Sequence, residues 1–131
     1  HGVVLADRHA AGVTAAVRKA SAGAVAHLGI ARMPLAEALD HLRARGIRIV
    51  ALDERGEVPY AAADLAGPMA LVVGSEGRGL SRAVAGRVDV RVALPMRGRV
   101  GSLNAAVAGS IAIYEALRQR LLAGAADAQN V

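Results

Sequence analysis

Short apolar runs alternate along this chain with stretches whose apolar residues recur at helical spacing. Val3-Val4-Leu5 reads as a strand, Thr14 to Ala20 as a short helix, and Ala24 to Ile30 as a second strand. Pro34 suits the first turn of a helix with Leu35, Ala38, Leu39 and Leu42 on one face, and basic Arg43 and Arg45 followed by Gly46 mark its end. Ile47 to Leu52 predicts a third strand ending at Asp53, and Glu54 to Gly67, with Pro59 inside it, predicts a connecting loop. Met69 to Val73 is apolar on both faces, as a central parallel strand is. A short helix around Leu80 to Ala85 and a fifth strand, Val88 to Leu94, follow.

Ser102 is expected to open the longest helix, with Leu103, Val107, Ile111, Tyr114, Leu117 and Leu121 as its buried stripe. Arg118 and Arg120 fall near the negative end of its dipole. The small residues Ala105, Ala106, Ala108, Gly109 and Ala112 fit either close packing on the helix's own sheet or a subunit interface. Beyond Ala123 no pattern remains, so residues 1–123 are predicted as one domain and 124–131 as a frayed tail. The alternation as a whole predicts an α/β domain, a largely parallel sheet flanked by helices.

Composition narrows what such a domain can do. Its 131 residues suffice for one core, which must be aliphatic because Phe and Trp are absent and Tyr60 and Tyr114 are the only aromatic residues. Without Cys there are no disulfides and no thiolate zinc sites, and none of the four His has metal-ligand spacing. No apolar stretch reaches the roughly 20 residues of a membrane helix, and the amino end has no leader pattern, so a cytoplasmic protein without metal or membrane is expected. The chain opens as a strand already under way, without an initiator Met, and is expected to be a fragment.

The formal net charge is +5 and nearly all the positive charge is Arg. Guanidinium suits a phosphate-bearing partner, although Arg-rich surface also follows from GC-rich codon usage. Scarce aromatic residues argue against readers of single strands that stack bases on exposed rings.

Two segments carry the candidate chemistry. Leu71-Val-Val-Gly74-Ser-Glu76-Gly77-Arg78-Gly79-Leu80 ends a strand in glycines, and Leu94-Pro95-Met96 leads on to Gly101-Ser102-Leu103-Asn104. Each breaks at Gly or Pro, freeing backbone groups to face a ligand, and each places polar side chains at the break. The glycine spacing is wrong for a dinucleotide fingerprint, and the Lys-Ser/Thr of a P-loop is missing. Glu76 can instead cap the amides of the next short helix, and Ser102 and Asn104 can serve as local helix-start residues.

Taken together, L-V-V-G-S-E-G-R-G-L and L-P-M-R-G-R-V-G-S-L-N-A-A-V-A resemble the second and third motifs of the SpoU, or TrmH-like, RNA ribose 2′-O-methyltransferases of the SPOUT superfamily. The likeness extends to Val17–Ala24 and to the strand Gly46–Asp53, which look most like the branch that methylates a guanosine of bacterial 23S ribosomal RNA.

The resemblance implies a parallel sheet whose C-terminal part forms a deep trefoil knot, here without the family's first strand and helix. It implies S-adenosylmethionine as cofactor, held at Gly74, Glu76, Leu94, Met96 and Leu103, with Leu52 and Asp53 as a wall of the adenine pocket. Glu76, Ser102 and Asn104 match positions that order the catalytic site. Arg78, Arg97 and Arg99 would surround its mouth and hold RNA phosphates, against the alternative of ordinary surface arginines. A homodimer is expected, with the small residues of the last helix as one candidate surface.

Two departures stand out. The family's first-motif Asn and Arg have no match, and Ala105-Ala106 replaces a common Val-Ser. A catalytically silent module that docks RNA or a partner is therefore the alternative reading.

Overall fold

All strand pairings among the described residues are parallel, so every connection must cross from one end of a sheet to the other. The computed structural model describes residues 1–7, 10–74, 79–99 and 101–129. They fall into two units, His1–His41 and Leu42–Val131.

In the first unit β1 (Gly2–Ala6) pairs with β2 (Gly29–Met33), Gly2 opposite Gly29 and Leu5 opposite Arg32. Between them α1 (Ala15–Ala20) is capped by Thr14, whose hydroxyl accepts from the Val17 amide at 3.3 Å. The strand expected over Ala24 to Ile30 begins only at Gly29, because Ala24–His27 forms a 3₁₀ turn. Left-handed backbone at Ala22 (φ 48°) and Gly23 (φ 86°) starts that turn, and the Ala24 amide bonds back to Ser21.

The helix α2 (Leu35–Arg43) runs across the division between the units. Pro34 precedes it, its carbonyl accepting from Ala38 at 3.0 Å. Gly46 (φ 72°) leaves it in left-handed backbone, while the Ile47 amide reaches the Leu42 carbonyl.

The second unit holds β3 (Arg48–Leu52), β4 (Val58–Pro59), β5 (Met69–Val73) and β6 (Val90–Ala93) in the order β4-β6-β3-β5. The stretch expected as a plain loop from Glu54 to Gly67 thus contributes β4 and a 3₁₀ turn, Tyr60–Ala62. Pro59 is admissible there because β4 lies on the edge of the sheet. Ile49, Val50 and Ala51 of the central β3 are wholly buried, whereas β5, expected as a central strand, lies at the sheet edge among the described residues and is only half-buried. Asp89 fastens β6 to β3, accepting from the Ile49 amide at 2.7 Å and pairing with Arg43 at 3.2 Å. A single helical turn, α3 (Arg82–Ala85), is capped by Ser81.

The last helix, α4 (Ala105–Gln129), begins three residues later than expected. Its cap is Asn104, not Ser102: the Asn104 Oδ1 accepts from the amides of Ala106 (2.9 Å) and Val107 (3.4 Å). The helix continues through residues for which the sequence shows no apolar pattern, as far as Gln129.

The stripe of large residues expected to be buried is not its packing face; the small residues are, in the first of the two placements open to them. Gly109, Ala112, Glu115 and Ala116 are buried, whereas Val107 (49%), Tyr114 (72%), Leu117 (47%) and Leu121 (66%) are exposed. The helix is apolar on several faces, so periodicity marks a stripe without saying which stripe lies inside. Backbone proximity decides it. A Cβ built on Gly109 would meet the Val73 side chain at 3.5 Å, ordinary contact, so the small-residue face of α4 lies directly on β5.

A polar row on α4 then holds the segment entering β5. The Gln119 side chain accepts from the Leu65 amide and donates to the Ala63 carbonyl. Arg120 donates to the carbonyls of Ala66 and Gly67. Glu115, 8% exposed, receives Arg118 in two bonds of 2.8 and 2.7 Å and Gln119 in a third. Those bonds, from Arg118 first and Gln119 second, lower its pKa from 4.5 to about 2.

Candidate active site

The second unit carries a cavity of about 780 Å³ at the C-terminal ends of β3, β5 and β6, bounded by the start of α4. Ligands of parallel α/β sheets bind at this end, where the connecting segments leave the strands.

One wall is the Gly74–Gly79 pinch. A Cβ on Gly74 would lie 2.9 Å from the Gly79 carbonyl carbon, so two stretches of bare backbone meet there. Gly79 itself has φ 61°, which returns the chain toward α3. A second wall is the Pro95 turn, with half-buried Leu94 and Met96, and a third is Ser102-Leu103-Asn104 ahead of α4. Leu52 and Asp53 close the remaining side.

Asp53 is fixed in place by its surroundings. Its amide donates to the Val92 carbonyl at 3.0 Å, its own carbonyl accepts from Gly56 at 2.9 Å, and Oδ1 accepts from the Arg55 amide at 3.0 Å. Gly56 lies flat on β6, where a Cβ would come within 2.5 Å of the Val92 carbonyl carbon.

The sequence-predicted residues Leu52, Asp53, Gly74, Leu94, Met96, Ser102, Leu103 and Asn104 therefore converge on one cavity. Arg97 and Arg99 are exposed on the loop after the Pro turn and do not line it. Glu76 and Arg78 lie outside the described residues. The structure adds Glu54, Arg55 and Arg91 to the lining. For Arg91 the signal was a charged residue within an apolar strand, between Val90 and buried Val92.

A lining that mixes aliphatic side chains, bare backbone and charged groups suits a ligand with both apolar and polar parts. Among the described residues no cluster of His, Asp or Glu could hold a metal ion.

Comparison with known proteins converges on one group. Residues 1–114 match the family model described as the SpoU rRNA Methylase family. YacO of Bacillus subtilis (strain 168), named for the TrmH family of tRNA/rRNA methyltransferases, is 43% identical over 92% of this chain and 49% of its own length. The chain thus spans about half the length of that relative. Among solved structures, the SpoU methyltransferase AviRb from Streptomyces viridochromogenes, in complex with AdoMet, matches with a TM-score of 0.84 and 37% identity over 92% of this chain and 50% of that one. An RNA 2′-O ribose methyltransferase matches with a TM-score of 0.79 and 32% identity, over 90% of this chain and 46% of that one.

Proposed function

Because the chain belongs to the SpoU rRNA methylase family, we propose that its cavity holds S-adenosylmethionine and that the protein methylates a ribose 2′-hydroxyl of RNA, with 23S ribosomal RNA as the first candidate. The observation that carries this reading is the convergence of Gly74, Leu94, Met96 and Leu103, from three separate segments, on one cavity of about 780 Å³. That volume and its aliphatic wall fit an adenosyl group, and a relative of the same fold was crystallised with this cofactor.

When bound, the cofactor supplies an electrophilic methyl group on a sulfonium sulfur. Backbone around Gly74 and the Pro95 turn would hold the adenine, with Leu52 and Leu103 against its faces. A ribose 2′-hydroxyl is a weak acid, so the protein must align it and help remove its proton. Glu76, Ser102 and Asn104 are the polar groups assigned to that task. Asn104 does so from a helix cap, where two amide bonds hold its Oδ1 still.

Arg78, Arg97 and Arg99 are assigned to RNA phosphates. The protein is read as a cytoplasmic homodimer, and its subunit surface moves from the small-residue face of α4 to the exposed Val107, Tyr114, Leu117 and Leu121. Insertion of β6, the last strand, between β4 and β3 supports a knotted C-terminal topology.

The test is transfer of labelled methyl from S-adenosylmethionine to unmodified ribosomal RNA by the full-length protein. Alkali-resistant dinucleotides carrying the label are expected, since a 2′-O-methyl group blocks hydrolysis of the adjacent phosphodiester. Label on a base overturns the ribose assignment, and cofactor binding without any transfer leaves only a binding module.

A further inference from the structure

We propose that Asp53 accepts hydrogen bonds from the 2′- and 3′-hydroxyls of the adenosyl cofactor's own ribose, and that Gly56 is the residue that positions it. The proposal rests on the cavity being the cofactor site.

Asp53 is half-buried at the end of β3 and lines the cavity. Oδ1 is engaged by the Arg55 amide, whereas Oδ2 has no partner among the described residues and remains accessible. A carboxylate oxygen has two acceptor sites, enough for the two hydroxyls of a ribose diol. Neighbouring Glu54 is less suited, being exposed and lying 3.9 Å from the Arg55 guanidinium.

Position favours ribose over the amino-acid end of the cofactor. Asp53 directly follows Leu52, part of the wall assigned to adenine, and ribose is the group covalently next to adenine. A carboxylate bordering the adenine wall meets the diol before it can reach the more distant ammonium.

The turn is built to keep Asp53 there. Its amide is tied to Val92, its carbonyl to Gly56, and Gly56 rests on the β6 backbone with no room for a side chain. A methyl group at position 56 would have to lift the turn away from β6 and carry the carboxylate with it.

The probe is 5′-methylthioadenosine, which has the adenine and the diol but neither sulfonium nor amino acid. Calorimetry on the full-length protein would compare it with S-adenosylmethionine and with its own 2′,3′-dideoxy analogue. Asp53→Asn retains an oxygen for the Arg55 amide, so the turn should persist, as unchanged thermal unfolding would verify.

The expected result is about a ten- to hundredfold weaker Kd for 5′-methylthioadenosine on Asp53→Asn, the range for a hydrogen bond to a charged group. The dideoxy analogue should bind wild type and variant alike. Gly56→Ala should weaken 5′-methylthioadenosine similarly, and add little once Asp53 is already Asn.

A variant that binds 5′-methylthioadenosine as wild type does, yet loses S-adenosylmethionine, would place Asp53 at the amino-acid end and overturn the proposal. If wild type binds S-adenosylmethionine and Asp53→Asn matches it on every ligand, the ribose role falls while the cofactor reading stands. If wild type binds neither compound, both fall.

Discussion

Gly74 and Asn104 show how single residues make this cavity. At Gly74 the added Cβ of alanine would meet the Gly79 backbone at 2.9 Å, and backbone cannot swing aside as a side chain can. Gly74→Ala is therefore expected to push the two segments apart and weaken S-adenosylmethionine binding by at least about tenfold, by analogy with other backbone-incompatible glycine replacements. Calorimetric titration beside a thermal melt separates that loss from unfolding. Asn104 has two assigned roles that can also be separated. Asn104→Ala should cost about 1 kcal/mol by loss of the helix cap, measured by denaturant unfolding. Asn104→Asp keeps an acceptor for Ala106 and Val107 and should restore stability, yet it should remain poor in methyl transfer if the amide NH₂ is the functional group. Gly74, at a strand's end, was legible in the sequence. Gly56 was not, because Asp53-Glu-Arg-Gly56 reads as an ordinary turn and the demand for glycine comes from Val92, far along the chain.

Among the elements, α4 is the most informative, because it both bounds the cavity and braces the approach to β5. One member of that brace, Gln119, is held by an ionised Glu115. A carboxyl whose folded pKa is about 2, against an ordinary 4.5, favours the folded state at every pH above the ordinary value. That contribution fades as pH falls from about 4.5 toward 2, where both states become protonated. The melting temperature should thus decline over this acid interval, and Glu115→Gln should flatten that part of the profile while lowering stability near neutrality. Scanning calorimetry between pH 2 and pH 7 checks both, as about the range a carboxylate linkage spans. Strand β3, helix α2 and the order of elements were visible in apolar spacing, since burial on both faces of β3 leaves a plain apolar run, whereas β5 was visible as an apolar run but not as the half-buried edge strand it is. The small-residue face of α4 was legible as a candidate for packing on the sheet, but the exposure of its large-residue stripe was not. Large apolar residues mark a face that needs covering, but covering by another part of the chain and covering by a partner leave the same spacing. The short β4 was hidden for a related reason, since two residues cannot show a period and only pairing with Val92 and Ala93 makes them a strand.

For the molecule as a whole, the cavity is sized for a small ligand, while the excess of arginine and the exposed apolar row of α4 are what the proposed RNA and subunit contacts rest on. Tyr114, Leu117 and Leu121 form a row at three- and four-residue spacing, 72%, 47% and 66% exposed, which a second copy would cover. Leu117→Asp with Leu121→Asp should convert a dimer to monomer in sedimentation, because a carboxylate buried in an apolar seam is left without a partner. The proposed RNA surface answers to a different measurement. Arg97 and Arg99 flank Gly98, whose φ of 100° turns the loop sharply, and both stand exposed beside the Pro95 turn that lines the cavity. If each neutralises one phosphate, RNA binding releases the corresponding counterions, and log K falls with log salt by about 0.7 per contact on single strands or 0.9 on a duplex. Replacing both with Gln should therefore reduce the slope by about 1.4 to 1.8 while weakening binding to all sequences alike. S-adenosylmethionine affinity should be unchanged, because neither residue lines the cavity. A slope equal to that of wild type would assign these arginines to ordinary surface and send the search for phosphate contacts to Arg91 at the cavity itself.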